Sequence, residues 1–242
     1  MRLLILIAAL LLFPIAVLAQ KDGPIPSISV NGQAEVMVVP DQVLFTLTVE
    51  NLKLDLSAAR QETEADVKKV FALAQSYKIP PQNVQTYYIR VSERYEKEEN
   101  NKPALFKGYA VSQTIVILLP DISRFESLFS ELLTSGISDV SSVDFRLSKP
   151  RQYMDQARSL ALKAAREKAV AMAGDLGQKV GNPLSITEAG TDISSAYESS
   201  SGSTYSNNIT TSVSDSVPDN KTSVAPGMMS VTARVKVIFA IN

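Results

Sequence analysis

The residues able to do chemistry in this chain are few, because its 242 positions hold no histidine, no cysteine and no tryptophan. Neutral-pH bases, thiolate nucleophiles and soft metal ligands come most often from the first two. Five groupings of the remaining reactive types have suggestive spacing. Gly174-Asp-Leu-Gly177-Gln-Lys-Val-Gly181 has the glycine density of a phosphate-cradling loop. It follows a predicted helix instead of opening one, so its amides would point away from an anion, and it reads as a helix C-cap and turn. Glu96, Glu98, Glu99 and Asn100 could hold a hard cation. They lack the alternate-position acids and turn glycine of a calcium loop, and read as a solvated hairpin tip. Arg151, Arg158, Lys163, Arg166 and Lys168 could gather an anion, but Asp155 and Glu167 interrupt them. Met228-Met229 offers two thioethers without a third soft ligand, an arrangement that suits packing. Tyr87, Tyr88, Tyr95 and Tyr109 fall on predicted paired strands and could form an aromatic ladder or an interface. No G-x-S-x-G or S-x-x-K occurs, so the common serine nucleophiles are excluded. No catalytic, cofactor-binding or metal-binding residue is assigned, and the chain is not expected to be an enzyme.

The elements that would position these groups alternate between two periods. Residues 28–36 alternate around Asn31-Gly32, which reads as a strand bulged at Gly32. After the Pro40-Asp41 turn, Val43, Phe45, Leu47 and Val49 share one face of a second strand. Ala59, Thr63, Val67, Val70, Phe71 and Ala74 then recur at helical spacing. This predicts an amphipathic helix capped by Asp55 or Ser57 and ended before Pro80-Pro81. Tyr87, Ile89, Val91 and Tyr95 alternate with Tyr88, Arg90, Ser92 and Arg94 on a third strand, whose hairpin returns as a strand bearing Tyr109, Val111, Ile115, Ile117 and Leu119. A second helix carries Ile122, Phe125, Leu128, Phe129, Leu132 and Leu133, followed by a strand over 140–147. Strand–helix–strand–strand–helix–strand is the order of a split βαβ unit, so the expected class is α+β: an antiparallel sheet with helices on one face. A third long helix is expected over 151–176, with Leu162, Ala165, Ala169, Met172 and Leu176 as its stripe. A short strand over 184–188 and a C-terminal strand over 229–241 complete the set. Residues 191–226 are crowded with Ser and Thr and read as a flexible insertion. Its two glycosylation sequons, at Asn208 and Asn220, are the matches that chance supplies in such a composition.

Export and packing follow from the ends and the balance of charge. Arg2, an apolar run from Leu3 to Ile15 and the small-residue step at Ala19 have the layout of a signal peptide cleaved after Ala19. The expected products are a leader over 1–19 and a single domain over 20–242 in the periplasm. No cysteine follows the apolar run, so covalent lipid attachment there is unavailable. An exported chain without disulfides must be held by packing. With 24 basic and 25 acidic residues, nothing attracts nucleic acid.

Several segments, taken in order, resemble one family. Ser29-Val-Asn-Gly-Gln-Ala-Glu-Val-Met-Val-Val-Pro-Asp41 resembles the opening of SIMPL-domain proteins, and Val49-Glu50 the end of their next strand. Asn83-Val-Gln-Thr86, Gly108-Tyr-Ala-Val-Ser-Gln-Thr114 and the Ala-rich stretch 157–169 resemble its middle. Ala225-Pro-Gly227, leading into Val231-Thr-Ala-Arg-Val-Lys-Val-Ile-Phe239, resembles its closing strand. The resemblance covers nearly all of the chain after the leader. It implies an exported α+β protein among periplasmic immunogenic, outer-membrane-associated and oxidative-stress-defence proteins, some of them thought to assemble into channel-like rings. It brings no catalytic residue. The expectation is a non-enzymatic protein acting through self-assembly, a homo-oligomer with edge strands and the 96–103 hairpin as contacts and with outer-membrane or envelope association open to it. The alternatives are a carrier of a small ligand or metal and a subunit of a multi-chain channel. A single-chain barrel is excluded by the three intervening helices.

Overall fold

The computed structural model describes residues 25–96, 104–195, 209–213 and 226–242. Within them lie eight strands and three α-helices. The strands are β1 (Ser27–Val38), β2 (Gln42–Lys53), β3 (Val84–Tyr95), β4 (Phe106–Leu119), β5 (Asp139–Arg146), β6 (Val180–Ser195), β7 (Ile209–Val213) and β8 (Met229–Ile241). The helices are α1 (Leu56–Ser76), α2 (Phe125–Leu133) and α3 (Pro150–Asp175). The chain is α+β, and its strands form two four-stranded sheets.

The split βαβ unit is the first sheet, in the order β3-β4-β2-β5 and antiparallel throughout. Alternation places Val43, Phe45, Leu47 and Val49 of β2 beside Ile115, Ile117 and Leu119 of β4 on one buried face. Helix α1 covers that face with Val67, Val70 and Ala74, and α2 with Phe125, Leu128 and Leu132. Phe45 stacks on Phe125 at 5.6 Å and on Phe129 at 6.2 Å between ring centroids. The N-cap of α1 is Asp55, whose carboxylate accepts from the Ala58 amide at 2.8 Å. The buried Thr63 hydroxyl lies 2.9 Å from Ala59 O and 3.0 Å from Val111 O, which ties the helix to β4.

The remaining strands form a second sheet, in the order β6-β8-β1-β7, and α3 packs on it around a core of its own. It is antiparallel except where β7 runs parallel to β1. The bulge expected at Gly32 is absent, because β1 pairs with β8 without a register break from Ser27↔Ala240 to Val38↔Met229. Gly32 serves a different need. A Cβ built there would sit 2.0 Å from the Ala161 carbonyl oxygen and 2.7 Å from the Ala165 amide nitrogen of α3. The helix therefore rests with its backbone against the strand. Its buried ridge is Ala157, Ala161, Ala165, Ala169 and Ala173, one residue every fourth position. The expected stripe is right at Ala165 and Ala169, with Leu162 packed against the same core, but fails at its C-terminal end: Met172 and Leu176 are exposed, because close approach selects the small residues.

The two sheets are joined where the chain crosses between them. Asp41, between β1 and β2, accepts from the Ser148 amide at 2.7 Å and from the Ser148 hydroxyl. Ser148 lies between β5 and α3, on the return crossing. The Asp41 amide also donates to Arg146 O, and its carbonyl accepts from the Ile122 amide.

Two further expectations shift. The short strand at 184–188 is the middle of β6, and the stretch expected as an insertion over 191–226 begins later. Thr191, Asp192 and Ile193 pair with Ala233, Thr232 and Val231 of β8, since ladder hydrogen bonds are made by backbone groups whatever the side chains. Ile209–Val213 adds β7; the rest of that stretch, with Asn208 and Asn220, lies outside the described residues, as do the leader expected over 1–19 and the expected hairpin tip at 97–103. The C-cap reading of Gly177 holds: its φ is +71°, and the Gln178 amide reaches Ala173 O at 2.8 Å.

Two predictions follow from these contacts. Gly32→Ala will lower stability by about 1–3 kcal/mol, whereas Gly174→Ala, where a Cβ meets nothing within 4 Å, will raise it by about 0.5–1 kcal/mol. Urea unfolding of the two variants should move the midpoint in opposite directions. The second concerns Asp66, which accepts from Lys69 and from Asn51 at the end of β2. These two bonds, Lys69's first, hold its carboxyl below the usual carboxylate range. Its contribution is therefore present above the unfolded-state value and is lost as pH falls through the folded-state value. The stability gap between wild type and Asp66→Asn should close as unfolding is measured from pH 6 down toward pH 3.

Candidate functional site

Strand β3 is paired along one side, to β4, and among the described residues its other side is a free edge. Its register fixes the direction of each side chain. Ile89 and Val91 stand opposite Gln113 and Val111, on the side of α1. Tyr88, Arg90, Ser92 and Arg94 occupy the opposite face, where Arg94 meets Glu50 at 3.2 Å. The alternation expected from the sequence is present, but the apolar face is not buried: Ile89 is 60 % and Val91 55 % exposed. Helix α1 packs over β2 and β4 and leaves β3 uncovered. Tyr87 sits at a register break between Thr86 and Tyr88 and is also exposed.

The gap between α1 and β3 is a groove. One part, of about 340 Å³, is lined by Leu56, Arg60, Thr63 and Glu64 of α1 with Ile89, Val91, Val111 and Gln113. Its floor is apolar and its rim carries an ion pair, Arg60 Nε to Glu64 Oε1 at 2.7 Å. Farther along α1, a second hollow of about 260 Å³ is walled by Phe71, Ala74, Gln75, Ile79, Pro81 and Val84. An apolar trough beside an open row of backbone donors and acceptors is suited to receiving an extended strand with apolar side chains.

Neighbouring groups hold several carboxylates and phenols away from their ordinary values. The hydrogen bond and charge of Arg60 hold the Glu64 carboxyl below the usual range. Asp66, Asp121 and Glu188 are lowered as well, chiefly by bonds from Lys69, Ser123 and Thr191. The hydrogen bond to Glu93 raises the Tyr95 phenol, and that to Glu131 raises Tyr77. Each of these moves away from neutrality, whereas a general acid or base is tuned toward it.

The five sequence groupings do not converge. Glu96 pairs with Lys107 at 2.7 Å, while Glu98, Glu99 and Asn100 fall outside the described residues. Among the described residues no three acidic side chains gather as a metal site. The basic residues of α3 are dispersed: Arg158 bonds Asp155 and Glu188, Lys163 faces Glu167, and Lys168 donates to Asn31 O. Met229 packs on the second core, and Met228 lies at the surface. Tyr95 and Tyr109 are linked edge-to-face through Phe106, at 5.4 and 5.2 Å. Three other strands stand at sheet edges among the described residues, β6, β5 and the five-residue β7. Strand β6 carries Pro183 and three register breaks, and β5 has eight residues with polar Asp139, Ser141, Ser142 and Asp144.

Comparison with known proteins places this architecture. The model of a family described as SIMPL, protein of unknown function (DUF541), matches residues 28–239. The chain is 27 % identical over 161 residues to the uncharacterized protein YggE of Edwardsiella ictaluri, covering 66 % of this chain and 67 % of that one. Against YggE of Escherichia coli K12 it is 24 % identical over 165 residues, covering 68 % and 65 %. It is also 24 % identical to the 26 kDa periplasmic immunogenic protein of Brucella melitensis, covering 66 % of each. The chain thus spans about two thirds of the length of these relatives. The matched residues run from β1 to β8 and take in both sheets and all three helices, and the chain belongs to the SIMPL family.

Proposed function

We propose that this chain is an exported, non-enzymatic periplasmic protein that works by self-assembly, with the β3 edge and its groove as the contact surface. The observation that carries the reading is the pair Ile89 and Val91, apolar and exposed on an edge strand beside an apolar trough. A stable exported protein gains nothing by leaving such an edge bare in solution, since it invites uncontrolled pairing. Assembly gives the edge a fixed partner. The periplasmic setting is supported by the name of the Brucella relatives and by the layout of the first nineteen residues. Among the described residues no helix is long and apolar enough to cross a membrane. Protection against oxidative or envelope stress and association with the outer membrane are parts of the same proposal, a channel-like multi-chain form is an alternative to it, and the support for all three is the family resemblance. The 340 Å³ groove also favours a second reading, in which it carries a small apolar ligand.

Light scattering coupled to size exclusion tests assembly. At micromolar concentration the protein should elute at a multiple of its protomer mass. A single protomer mass would overturn assembly. Thermal shift against small apolar compounds addresses the second reading, and a stabilised monomer would favour it.

A further inference from the structure

We infer that β3 pairs antiparallel with β3 of a second copy about a two-fold axis through Val91, joining the two first sheets edge to edge. The inference rests on the assembly reading and names its interface.

The register follows from where the strand is regular. Breaks between Thr86 and Tyr88 and between Arg94 and Tyr95 bound an uninterrupted segment over residues 88–94. Its midpoint is Val91, so a two-fold there pairs all seven residues of one copy with all seven of the other. A closed two-fold pair keeps the faces of both sheets aligned, so a residue meets a partner an even number of positions away. Under that rule each candidate centre makes a definite set of opposing pairs.

Charge then separates the centres. Through Arg90 the axis would set Arg90 against itself; through Ser92 it would oppose Arg90 and Arg94; through Glu93 it would set two carboxylates face to face. Like charges directly opposite are destabilising. An axis through Ile89 carries the pairing into the break at Thr86. Centred on Val91, no like charges meet. Val91 faces Val91 of the partner subunit, Ile89 faces Glu93 of the partner subunit, and Arg90 faces Ser92 of the partner subunit. Tyr88 faces Arg94 of the partner subunit, an aromatic ring against a guanidinium that Glu50 already holds on that side of the sheet. The two apolar rows come together at the axis, between the mouths of the two grooves.

The chain has no cysteine, so a single introduced thiol reports the register directly. Directly opposed Cβ atoms on antiparallel strands lie about 4.5–5.5 Å apart. Val91→Cys should therefore be captured as a covalent dimer by a short bismaleimide, and Gln85→Cys, outside the regular segment, should not. Val91→Lys should lose the contact, shown by a fall in molar mass, while keeping its circular dichroism spectrum, because Val91 is half exposed. If wild type is an oligomer but Val91→Cys is not captured, or Gln85→Cys is captured equally, this interface is wrong and assembly stands. If wild type is itself a monomer, assembly and interface fall together. If Val91→Lys does not fold, the two cysteine variants decide.

Discussion

One helix cannot cover three strands. An α-helix with its side chains is about 10–12 Å across, and neighbouring strands are about 4.8 Å apart, so α1 spans two of them. Val67, Val70 and Ala74 pack it against the core that β2 and β4 share, and Thr63 fixes it to Val111 O. Helix α2 takes up the β5 side through Phe125 and Phe145, whose rings lie 5.8 Å apart. The uncovered β3, the groove, and the exposure of Ile89 and Val91 all follow from that allotment. The polar rim belongs to it too, since Arg60 and Glu64 lie on the part of α1 that overhangs the gap.

The second sheet solves the same geometric problem differently. Alanines at every fourth position of α3 and the missing side chain at Gly32 bring the helix backbone down onto β1 and β8. A close helix buries little side-chain volume but is positioned firmly, which suits a frame. The frame closes the first strand of the described chain against the last, and Asp41 and Ser148 clasp the two crossings into the first sheet.

Most of the fold was legible, because hydrophobic period reports the elements directly. The split βαβ order also implies β3's place at the sheet edge, since its second strand is outermost. What periodicity does not report is which faces find cover: Ile89 and Val91 alternate as regularly as Phe45 and Leu47, yet only the latter pair meets a helix. The signal that was there is charge, with Arg90, Glu93 and Arg94 within five residues of β3, a density usual for an edge strand. Gly32 was misread as a kink because a glycine in a strand marks either a bulge or a close approach, and the helix that approaches it lies more than a hundred residues away. The end of β6 was hidden by composition: Ser and Thr suggest a loop, while the β8 ladder holds their backbone.

The proposed assembly requires that the outer side of β3 be occupied in the working protein. Residue-resolved hydrogen exchange on the wild-type protein at assembly concentrations reads this directly, because unpaired edge amides exchange quickly and paired ones do not. With that side occupied, the amides of residues 88–94 that point away from β4 should be protected as well as those of β4 itself. Exchange there as fast as at the free edge of β5 would contradict it.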